Sequence, residues 1–239
     1  MKSNITEKAW IMSASTSIIF ATSIRGLLYG YIHRQDKINR MLYKYSINLL
    51  NIVKAHLNIS GKENINIKSN KKYIVMSNHS SHYDIFILFY LFRGDIRMIA
   101  KKELFDIPLL GRAMKSANTI PLDRKNVKQA MRDLEYAKKI LEKNNVIWIS
   151  PEGGRKKRHE RKNLKKGGFI MAMQSNANII PIFISGSDKI LPPNTWDFST
   201  NQEVDVKIMP EIDTSKFSIS NISELMDVVF ELWQGTNTD

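Results

Sequence analysis

The 239-residue chain is predicted to fold as an α/β protein, with a mostly parallel sheet covered by helices and an N-terminal helical element that associates with a membrane. Short apolar runs typical of buried strands alternate with helical patterns, which predicts the α/β domain. A long uncharged stretch near the N-terminus predicts the attached element. We place the element at residues 1–60 and the main domain at residues 61–239.

The first segment carries no charged residue from Ala9 to Ile24, and the apolar run continues to Ile32 if Arg25 is tolerated. A spanning helix needs about 20 apolar residues, so the run is long enough only with Arg25 included. A cleaved signal peptide is an alternative, although no clear small-x-small cleavage site ends the run. If the helix spans a membrane, the excess of Lys and Arg after it places the main domain in the cytoplasm.

The second segment repeats apolar residues at helical spacing between Ile38 and Val53, among several lysines and arginines. A basic amphipathic helix of this kind can lie in an anionic membrane surface. For both segments the alternative is a core helix of a soluble protein.

Strands and helices alternate along the rest of the chain. The clearest helical pattern runs from Val127 to Leu141, with apolar residues three and four positions apart. A last helix is expected from Ile222, where Asn221 and Glu224 suit a capping box. Helical crossovers return the chain to the same edge of a sheet, so this alternation favours parallel strands. The predicted strands are 72–77, 96–100, 118–122, 146–150, 179–184 and 204–209.

The most informative motif lies between the first of these strands and the apolar run that follows it, and it reads SNHSSHYD at residues 77–84. It separates an imidazole, His79, from a carboxylate, Asp84, by four residues. On one continuous helix, residues five apart point about 140° away from each other, so the two side chains can meet only if His79 lies just outside the helix. A strand-to-helix turn provides that bend. The alternative is a capping Asp84 beside a surface His79.

Four further blocks follow this motif in order, and together they resemble the glycerolipid acyltransferases, specifically the 1-acylglycerol-3-phosphate acyltransferase family. The resemblance runs from about Lys72 to about Gly186. Where the family usually has threonine after Glu-Gly and often serine after the arginine, this chain has Gly154 and Lys156. The blocks are RMIAKKELFDIPLLG at 97–111, IPLDR at 120–124, VIWISPEGGR at 146–155 and NIIPI at 178–182.

The resemblance implies a glycerolipid acyltransferase-like fold, with residues 61–239 as the acyltransferase domain. The implied reaction moves a fatty acyl chain from acyl-CoA or acyl carrier protein to the free hydroxyl of 1-acyl-glycerol 3-phosphate (lysophosphatidic acid) and forms phosphatidic acid. No cofactor is expected beyond the acyl donor. By the resemblance, Glu152 and Arg155 contact the glycerol phosphate of the acceptor, and Arg124 and Lys101 are further candidates.

The residues of the motif suit this chemistry. Transfer of an acyl group from a thioester to an alcohol needs a base that removes the hydroxyl proton, and neutral histidine performs this near pH 7. We predict that His79 is the base and that Asp84 orients it through the far ring nitrogen. The hydroxyl of the acceptor attacks directly, so we expect no covalent acyl-enzyme, and the absence of cysteine excludes a thiol route.

The phosphate side of the site follows the predicted strand 146–150, at the edge where α/β sheets bind ligands. Gly153 lets the backbone approach an anion, and Arg155 can hold a phosphate in a bidentate fork beside Glu152. The next basic residues, 156–158, fit a solvated loop better. We expect Pro181 to end or border a strand beside the acyl pocket.

His82 is the rival histidine within the motif, and together with His79 and Asp84 it raises the question of a metal site. A hydrolytic zinc site usually has three protein ligands, and the other histidines follow no ligand spacing. We therefore expect no metal and interpret His82 as a polar residue lining the turn. The remaining histidines are His33, His56 and His159.

The formal net charge is +13, which attracts polyanions. The lysines are spread along the chain, and no helix-turn-helix, zinc-finger or RNA-binding motif is present, so we expect no nucleic acid partner. A membrane phospholipid surface, lysophosphatidic acid, and acyl-CoA or acyl carrier protein are the expected partners.

Three alternative functions stay open on the sequence. The first is acylation of another lysophospholipid or of glycerol 3-phosphate, which Gly154 and Lys156 favour. The second is a non-catalytic basic protein that binds lipid or nucleic acid. The third is a metal-dependent hydrolase.

Overall fold

The computed structural model describes residues 4–68, 70–144, 146–156 and 161–235. The strands are β1 (His56–Ser60), β2 (Lys72–Ser77), β3 (Arg97–Lys101), β4 (Ile120–Leu122), β5 (Val146–Ile149), β6 (Ala177–Ser185) and β7 (Glu203–Ile208). The helices are α1 (Ile5–Tyr31), α2 (Gln35–Ile52), α3 (Tyr83–Leu91), α4 (Leu110–Ser116), α5 (Val127–Asn144), α6 (Lys166–Gln174), α7 (Ser187–Ile190) and α8 (Ile222–Gln234).

The seven strands form one sheet in the order β1-β7-β6-β2-β5-β3-β4. Every neighbouring pair is parallel except β6 and β7, which are antiparallel. The predicted mostly parallel sheet is therefore confirmed, and each of the six predicted strands is present. The central strands read as continuous apolar runs because helices cover both faces of the sheet. One cluster of core residues includes α2 and α3, and the other includes α5, α6 and α8.

Strand β1 is an addition to the predicted elements. Its sequence, HLNIS, contains only two apolar residues, and its side chains alternate between exposed and half-buried positions. The strand lies at the edge of the sheet and pairs only with β7, so it needs no buried apolar run. Residues 56–60, which we had included in the N-terminal element, thus belong to the sheet, and the helices of that element end at Ile52.

Pro181 is placed differently from our expectation. It lies inside β6, which is a central strand, opposite Met76 of β2. Proline has no N–H for a ladder, so a central position needs a local break. That break occurs on the β7 side, because the continuous pairing begins at Ile182 and an isolated bridge joins Ile179 to Ile212. The Pro181 carbonyl accepts a hydrogen bond from the Met209 amide at 3.0 Å.

The two N-terminal helices have different surroundings. The apolar stripe of α2 is buried against α3 in the core, including Ile38 and Leu42, so it is not free to enter a membrane. Helix α1 buries only Ile11, Ser23 and Gly26. By length and composition it is long and apolar enough to cross a membrane. Its exposed apolar side chains are Ile5, Trp10, Met12, Phe20, Ile24, Leu28 and Tyr31.

The last helix buries the stripe that the sequence predicts, with Leu225, Val229 and Trp233 in the core. It begins at Ile222, as predicted, but the capping box is formed by other residues. The capping box is formed one turn earlier, by Ser218 and Asn221, around a short 3₁₀ turn. The Asn221 amide instead donates to Glu224 at 2.9 Å.

Two glycines one turn apart on α1 face helix α4. A Cβ at Gly30 would lie 2.6 Å from Cβ and Oγ of Ser116, whereas a Cβ at Gly26 would lie 3.4 Å from the flexible end of Met41 and 3.7 Å from Ala113. Glycine at residue 30 is thus required for the close approach of α1 and α4, and residue 26 tolerates a methyl group.

We predict opposite effects for these two glycines. Gly26→Ala should leave stability unchanged or raise it by about 1 kcal/mol, because alanine favours a helix interior. Gly30→Ala should lower it by about 1–3 kcal/mol through overpacking against Ser116. Thermal unfolding in detergent, followed by circular dichroism, measures both. Addition of Ser116→Gly to Gly30→Ala should restore part of the loss. Equal melting temperatures for the two alanine variants would contradict the assigned contact.

Candidate active site

The site lies at the carboxyl edge of the three central strands. β6, β2 and β5 are neighbours and run in the same direction. Their last residues, Ser185, Ser77 and Ile149, therefore end side by side, and the segments that follow them meet there. The first segment after β2 is the SNHSSHYD motif, and the segment after β5 carries the PEGGR block. This edge of a parallel sheet is where α/β proteins collect ligands.

His79 and Asp84 form a buried pair. His79 Nδ1 lies 2.8 Å from Asp84 Oδ2, with His79 on the turn and Asp84 in the first turn of α3, as the bend argument predicts. Asp84 Oδ2 also accepts hydrogen bonds from the amides of Ser80 and Ser81, at 2.8 and 2.9 Å. Since this oxygen is an acceptor, Nδ1 of His79 carries the proton, and Nε2 presents its lone pair.

The turn between β2 and α3 encloses the Asp84 carboxylate. Its side chain is fully buried, and Oδ1 has no hydrogen-bond partner in the described parts of the chain. Ser81 Oγ donates to the Leu191 carbonyl at 2.9 Å and accepts from the Tyr83 amide at 3.3 Å. The turn is therefore held from both sides, which fixes the carboxylate beneath the imidazole.

Trp148 supports the other side of the imidazole. Its ring contacts the His79 ring edge-on, with centroids 5.4 Å apart and planes at 83°. The indole N–H donates to Ser77 Oγ at 2.9 Å, and Ser77 Oγ donates to the Asn78 carbonyl at 2.8 Å. The tryptophan thus sets the ring position through packing and the start of the turn through a hydrogen bond.

Asn78 joins the turn to the neighbouring strand. Its side-chain Nδ2 donates to the Ile184 carbonyl at 2.8 Å, and its side-chain Oδ1 accepts a hydrogen bond from the Ile184 backbone N–H at 2.7 Å. These bonds extend the β2–β6 ladder by one side chain beyond Ser77. Ser80 Oγ lies 3.2 Å from Ser187 Oγ, which is a second connection to the end of β6.

Glu152 joins the PEGGR block to His79. Its Oε2 accepts a hydrogen bond from the His79 backbone amide at 3.1 Å, and the residue is only 2% exposed. The amide of Lys156 donates to the His79 carbonyl at 2.7 Å. The His79 peptide groups are thus bonded to the PEGGR segment at two points. Glu152 is part of the frame of the site.

Gly153, the residue after Glu152, is in contact with Arg124. Gly153 has φ of +73°, a left-handed conformation that favours glycine, and its amide donates to the Ser150 carbonyl at 3.1 Å. Arg124 Nη1 donates to the Gly153 carbonyl at 2.5 Å. A Cβ at Gly154 would lie 3.4 Å from the same guanidinium nitrogen, so Arg124 occupies the space beside that glycine.

Arg155 is half-buried in the segment whose backbone is bonded to His79. Partial burial lowers the pKa of Arg155, and the negative charge of Asp84 opposes that shift. Loss of hydration, followed by the charge of Arg155 and the nearby His79, lowers the pKa of His82. His82 loses part of its hydration but still has more exposed surface than His79, which holds the buried position bonded to Asp84.

Lys101 is farther from this group. It ends β3 at the same edge, two strands from β2, and its ammonium pairs with Glu103 at 3.3 Å. Glu103 also pairs with Lys125 at 3.4 Å, and Lys102 pairs with Asp123 at 3.6 Å. The structure brings His79, Asp84, Glu152, Gly153, Arg124 and Arg155 together and places Lys101 at the margin. Residues 157–160, including His159, lie outside the described residues.

No three His, Cys, Asp or Glu side chains cluster as a metal site in the part of the chain that the structure describes. His56 contacts Asn201 at 2.8 Å in the edge strand, and His33 lies at the end of α1, so both are away from the motif.

Sequence inspection missed the supporting residues of the site. Trp148 looks like one more apolar residue of a buried strand, and Ser77 and Asn78 look like turn residues. The available signal was the indole N–H of Trp148, since a buried indole needs an acceptor. Its acceptor, Ser77, could not be identified without the pairing of β2 and β5.

Comparison with known proteins identifies the class. A family model described as Acyltransferase matches residues 56–185, and the chain belongs to this acyltransferase family.

Among its relatives, a chloroplastic 1-acyl-sn-glycerol-3-phosphate acyltransferase of Arabidopsis thaliana is 31% identical over 72% of this chain and 49% of its own. The 1-acyl-sn-glycerol-3-phosphate acyltransferase of Saccharomyces cerevisiae is 30% identical over 87% of this chain and 67% of its own. The chain thus spans about half to two thirds of the length of these relatives.

A solved structure shares the fold. The crystal structure of the 1-acyl-sn-glycerophosphate (LPA) acyltransferase PlsC from Thermotoga maritima matches with a TM-score of 0.82, at 21% identity, over 99% of this chain and 97% of that chain. The expected glycerolipid acyltransferase-like fold is thereby confirmed.

We predict that His82 titrates below the ordinary histidine pKa of about 6.5. The folded protein then binds this proton less readily than the unfolded chain, so this group lowers the free energy of unfolding as the pH falls below about 6.5. Arg155→Gln should raise the pKa of His82 by removing a nearby positive charge. NMR titration of labelled histidine rings, assigned with His82→Gln, measures both. Arg124→Gln is the control, and an equal shift in that variant would contradict the placement of Arg155.

Proposed function

We propose that this protein is a 1-acyl-glycerol-3-phosphate acyltransferase, which transfers a fatty acyl chain from a thioester to lysophosphatidic acid and forms phosphatidic acid. The observation that carries the proposal is the buried His79–Asp84 pair, with the segment that contains Arg155 bonded to the His79 backbone. The names of the relatives support it, because those proteins are called 1-acyl-sn-glycerol-3-phosphate acyltransferases.

In the proposed reaction, Nε2 of His79 takes the proton of the acceptor hydroxyl while the hydroxyl oxygen attacks the thioester carbonyl. Asp84 stabilises the imidazolium that results, through the bond to Nδ1. The tetrahedral intermediate then breaks its carbon–sulfur bond, and the imidazolium returns the proton to the leaving thiolate. An ester and a free thiol are the products, and His79 is restored. A general base of this kind contributes about 10²–10⁴-fold in rate.

The phosphate of the acceptor would be held by the PEGGR segment. Arg155 is the principal cation beside the pair, since a guanidinium can bind two phosphate oxygens at once. The left-handed turn at Gly153 brings backbone close to the ligand, and Arg124 closes the same side through its bond to the Gly153 carbonyl. Lys101, at the margin, adds long-range attraction. Glu152 acts by holding the His79 backbone.

The acyl donor would be acyl-CoA or acyl carrier protein, and the net charge of +13 attracts either one, through the phosphates of the coenzyme or the acidic surface of the carrier. The reaction as written needs no metal or other cofactor, so a chelator should leave the rate unchanged.

Helix α1 would attach the protein to the membrane that holds its substrate. Phe20, Leu28 and Tyr31 are 58, 57 and 84% exposed, and apolar side chains of this size are stabilised in a lipid phase. The excess of Lys and Arg after the helix supports a position of the acyltransferase domain on the cytoplasmic face.

A second candidate is acylation of a different lysophospholipid or of glycerol 3-phosphate. The presence of Gly154 beside Arg124, where the family usually has threonine, favours it. At this position the site presents the guanidinium of Arg124 instead of a threonine hydroxyl.

We predict that purified protein converts lysophosphatidic acid and palmitoyl- or oleoyl-CoA to phosphatidic acid. His79→Ala should lower the rate by at least about 10²-fold, because it removes the proposed general base. Arg155→Ala should mainly raise the acceptor KM, since the lost contact is to the phosphate. Radiolabelled product measures both effects.

His82→Ala is the matched control and should retain most of the activity. If product forms from glycerol 3-phosphate or another lysolipid but not from lysophosphatidic acid, the acceptor is that other molecule. If no product forms with any acceptor and either donor type, the proposed activity is wrong and the alternative of a non-catalytic binding protein is favoured.

Membrane attachment through α1 predicts that the protein stays in the pellet when membranes are extracted with carbonate. Phe20→Glu combined with Leu28→Glu should release it to the supernatant, because a charged side chain in the apolar phase is costly. Met131→Glu, which changes an exposed apolar residue on α5, is the control and should stay in the pellet. Release of the unmodified protein by carbonate would restrict α1 to a peripheral contact.

A further inference from the structure

A cleft of about 300 Å³ lies at the opposite end of the molecule from the His79 pair. It is formed where the end of α1, the start of α2 and the end of α4 meet. Strand β4 begins at Ile120, directly after this region, and Arg97 at the start of β3 donates to Asn39 of α2. β3, β4, β5 and β2 are parallel, so the cleft lies at the amino edge of the sheet, whereas His79 lies at the carboxyl edge. The lining residues are Gly30, His33, Arg34, Gln35, Ile38, Lys115, Ser116 and Asn118.

The walls of the cleft are fixed to each other. Asn118 donates to the side-chain oxygen of Gln35 at 3.0 Å and so joins α4 to α2. Gln35 donates in turn to Asn39 at 3.3 Å, and Asn39 is bonded to the buried Arg97. On the third side, Gly30 of α1 lies directly against Ser116. The cleft is thus preformed, and a ligand there would not have to order it.

The lining is cationic and rich in hydrogen-bond donors. Lys115 and Arg34 supply positive charge from two different elements, and no Asp or Glu is among the described lining residues. Arg34 donates from Nε and Nη2 to Asp36, at 2.8 Å each, which leaves Nη1. Lys115 has no described acidic partner. The Asn118 side-chain amide has one N–H beyond its bond to Gln35, whereas the Ser116 hydroxyl donates to the Arg112 carbonyl at 3.2 Å. This set of groups suits a phosphate, whose oxygens are acceptors only.

The cleft also adjoins the exposed apolar surface of α1. Leu28, Tyr31 and Ile32 belong to the same turns of the chain as the lining residues Gly30 and His33, and they are 57, 84 and 44% exposed. A ligand that reaches both surfaces has a negatively charged phosphate at one end and an apolar chain at the other. Anionic phospholipid has this form.

We propose that the cleft between α1, α2 and α4 binds the phosphate of an anionic phospholipid headgroup, at a site separate from the active site. Lys115 is the principal ligand, with Arg34 Nη1 and the second N–H of the Asn118 side-chain amide as further donors. The inference rests on the proposed contact of α1 with a membrane. Binding of the phosphate in the cleft makes membrane attachment selective for anionic lipid. It also fixes how far the end of α1 lies from the headgroup layer.

The test is vesicle sedimentation of the full chain at about pH 8, where histidine is neutral. Vesicles of phosphatidylcholine alone are compared with vesicles of about three parts phosphatidylcholine to one part phosphatidylglycerol, at constant ionic strength. Lys115→Gln should weaken binding to the anionic vesicles about fivefold and leave binding to the neutral vesicles unchanged. Lys115→Arg should retain the selectivity.

Lys143→Gln is the matched control. Lys143 is an exposed lysine in the last turn of α5, at the same edge of the sheet but outside the cleft. If Lys143→Gln and Lys115→Gln weaken anionic binding equally, the attraction is diffuse and the proposed site is wrong. Binding to neutral vesicles tests α1 separately, so failure of the membrane proposal is distinguishable.

Inorganic phosphate and glycerol 3-phosphate, compared with chloride at equal ionic strength, separate the two sources of phosphate. Competition that Lys115→Gln abolishes means that the cleft recognises the phosphate group itself, free or in lipid. A Lys115→Gln effect without competition means that the phosphate is held only as part of the lipid. Absence of any Lys115→Gln effect on anionic vesicles overturns the proposal.

Discussion

Burial of the Asp84 carboxylate is the constraint around which the site is arranged. A charged oxygen removed from water must be matched by donors, or the fold loses several kcal/mol. The protein supplies three donors to one oxygen: the amides of Ser80 and Ser81 and the ring of His79. Those amides point inward only if residues 79–81 turn between β2 and α3. The same requirement therefore determines the turn, the position of the histidine and its tautomer.

The neighbouring strands of the sheet hold this turn in place. Asn78 continues the pairing with β6, Trp148 of β5 packs against the imidazole, and Glu152 after β5 binds the His79 amide. Each contact comes from a neighbouring parallel strand, so the geometry of the site depends on the strand order. Segments distant in sequence thereby fix one ring with small tolerance, as general-base chemistry requires.

The sheet, six of its strands and the His79–Asp84 pair could be predicted from sequence, because buried parallel strands leave continuous apolar runs and because residue spacing restricts a helix start. Strand β1 could not, since an edge strand needs little apolar burial. The position of α2 could not be predicted either. Its apolar stripe could pack against a membrane surface or against α3, and only tertiary packing decides between them. The roles of Trp148 and Glu152 depend on which strands become neighbours, and local sequence does not encode that order.

The two hydrogen bonds from the PEGGR segment to the peptide groups of His79 have a consequence for engineering. Glu152 binds the amide and the backbone N–H of Lys156 binds the carbonyl, so the PEGGR segment and the histidine are parts of one rigid unit. A loop transplanted from a relative to alter substrate choice would displace the imidazole unless it kept both anchors. If this segment binds the acceptor as proposed, backbone geometry couples specificity to rate. Variation is then best introduced between the anchors at residues 154 and 155, because the left-handed backbone of Gly153 favours glycine.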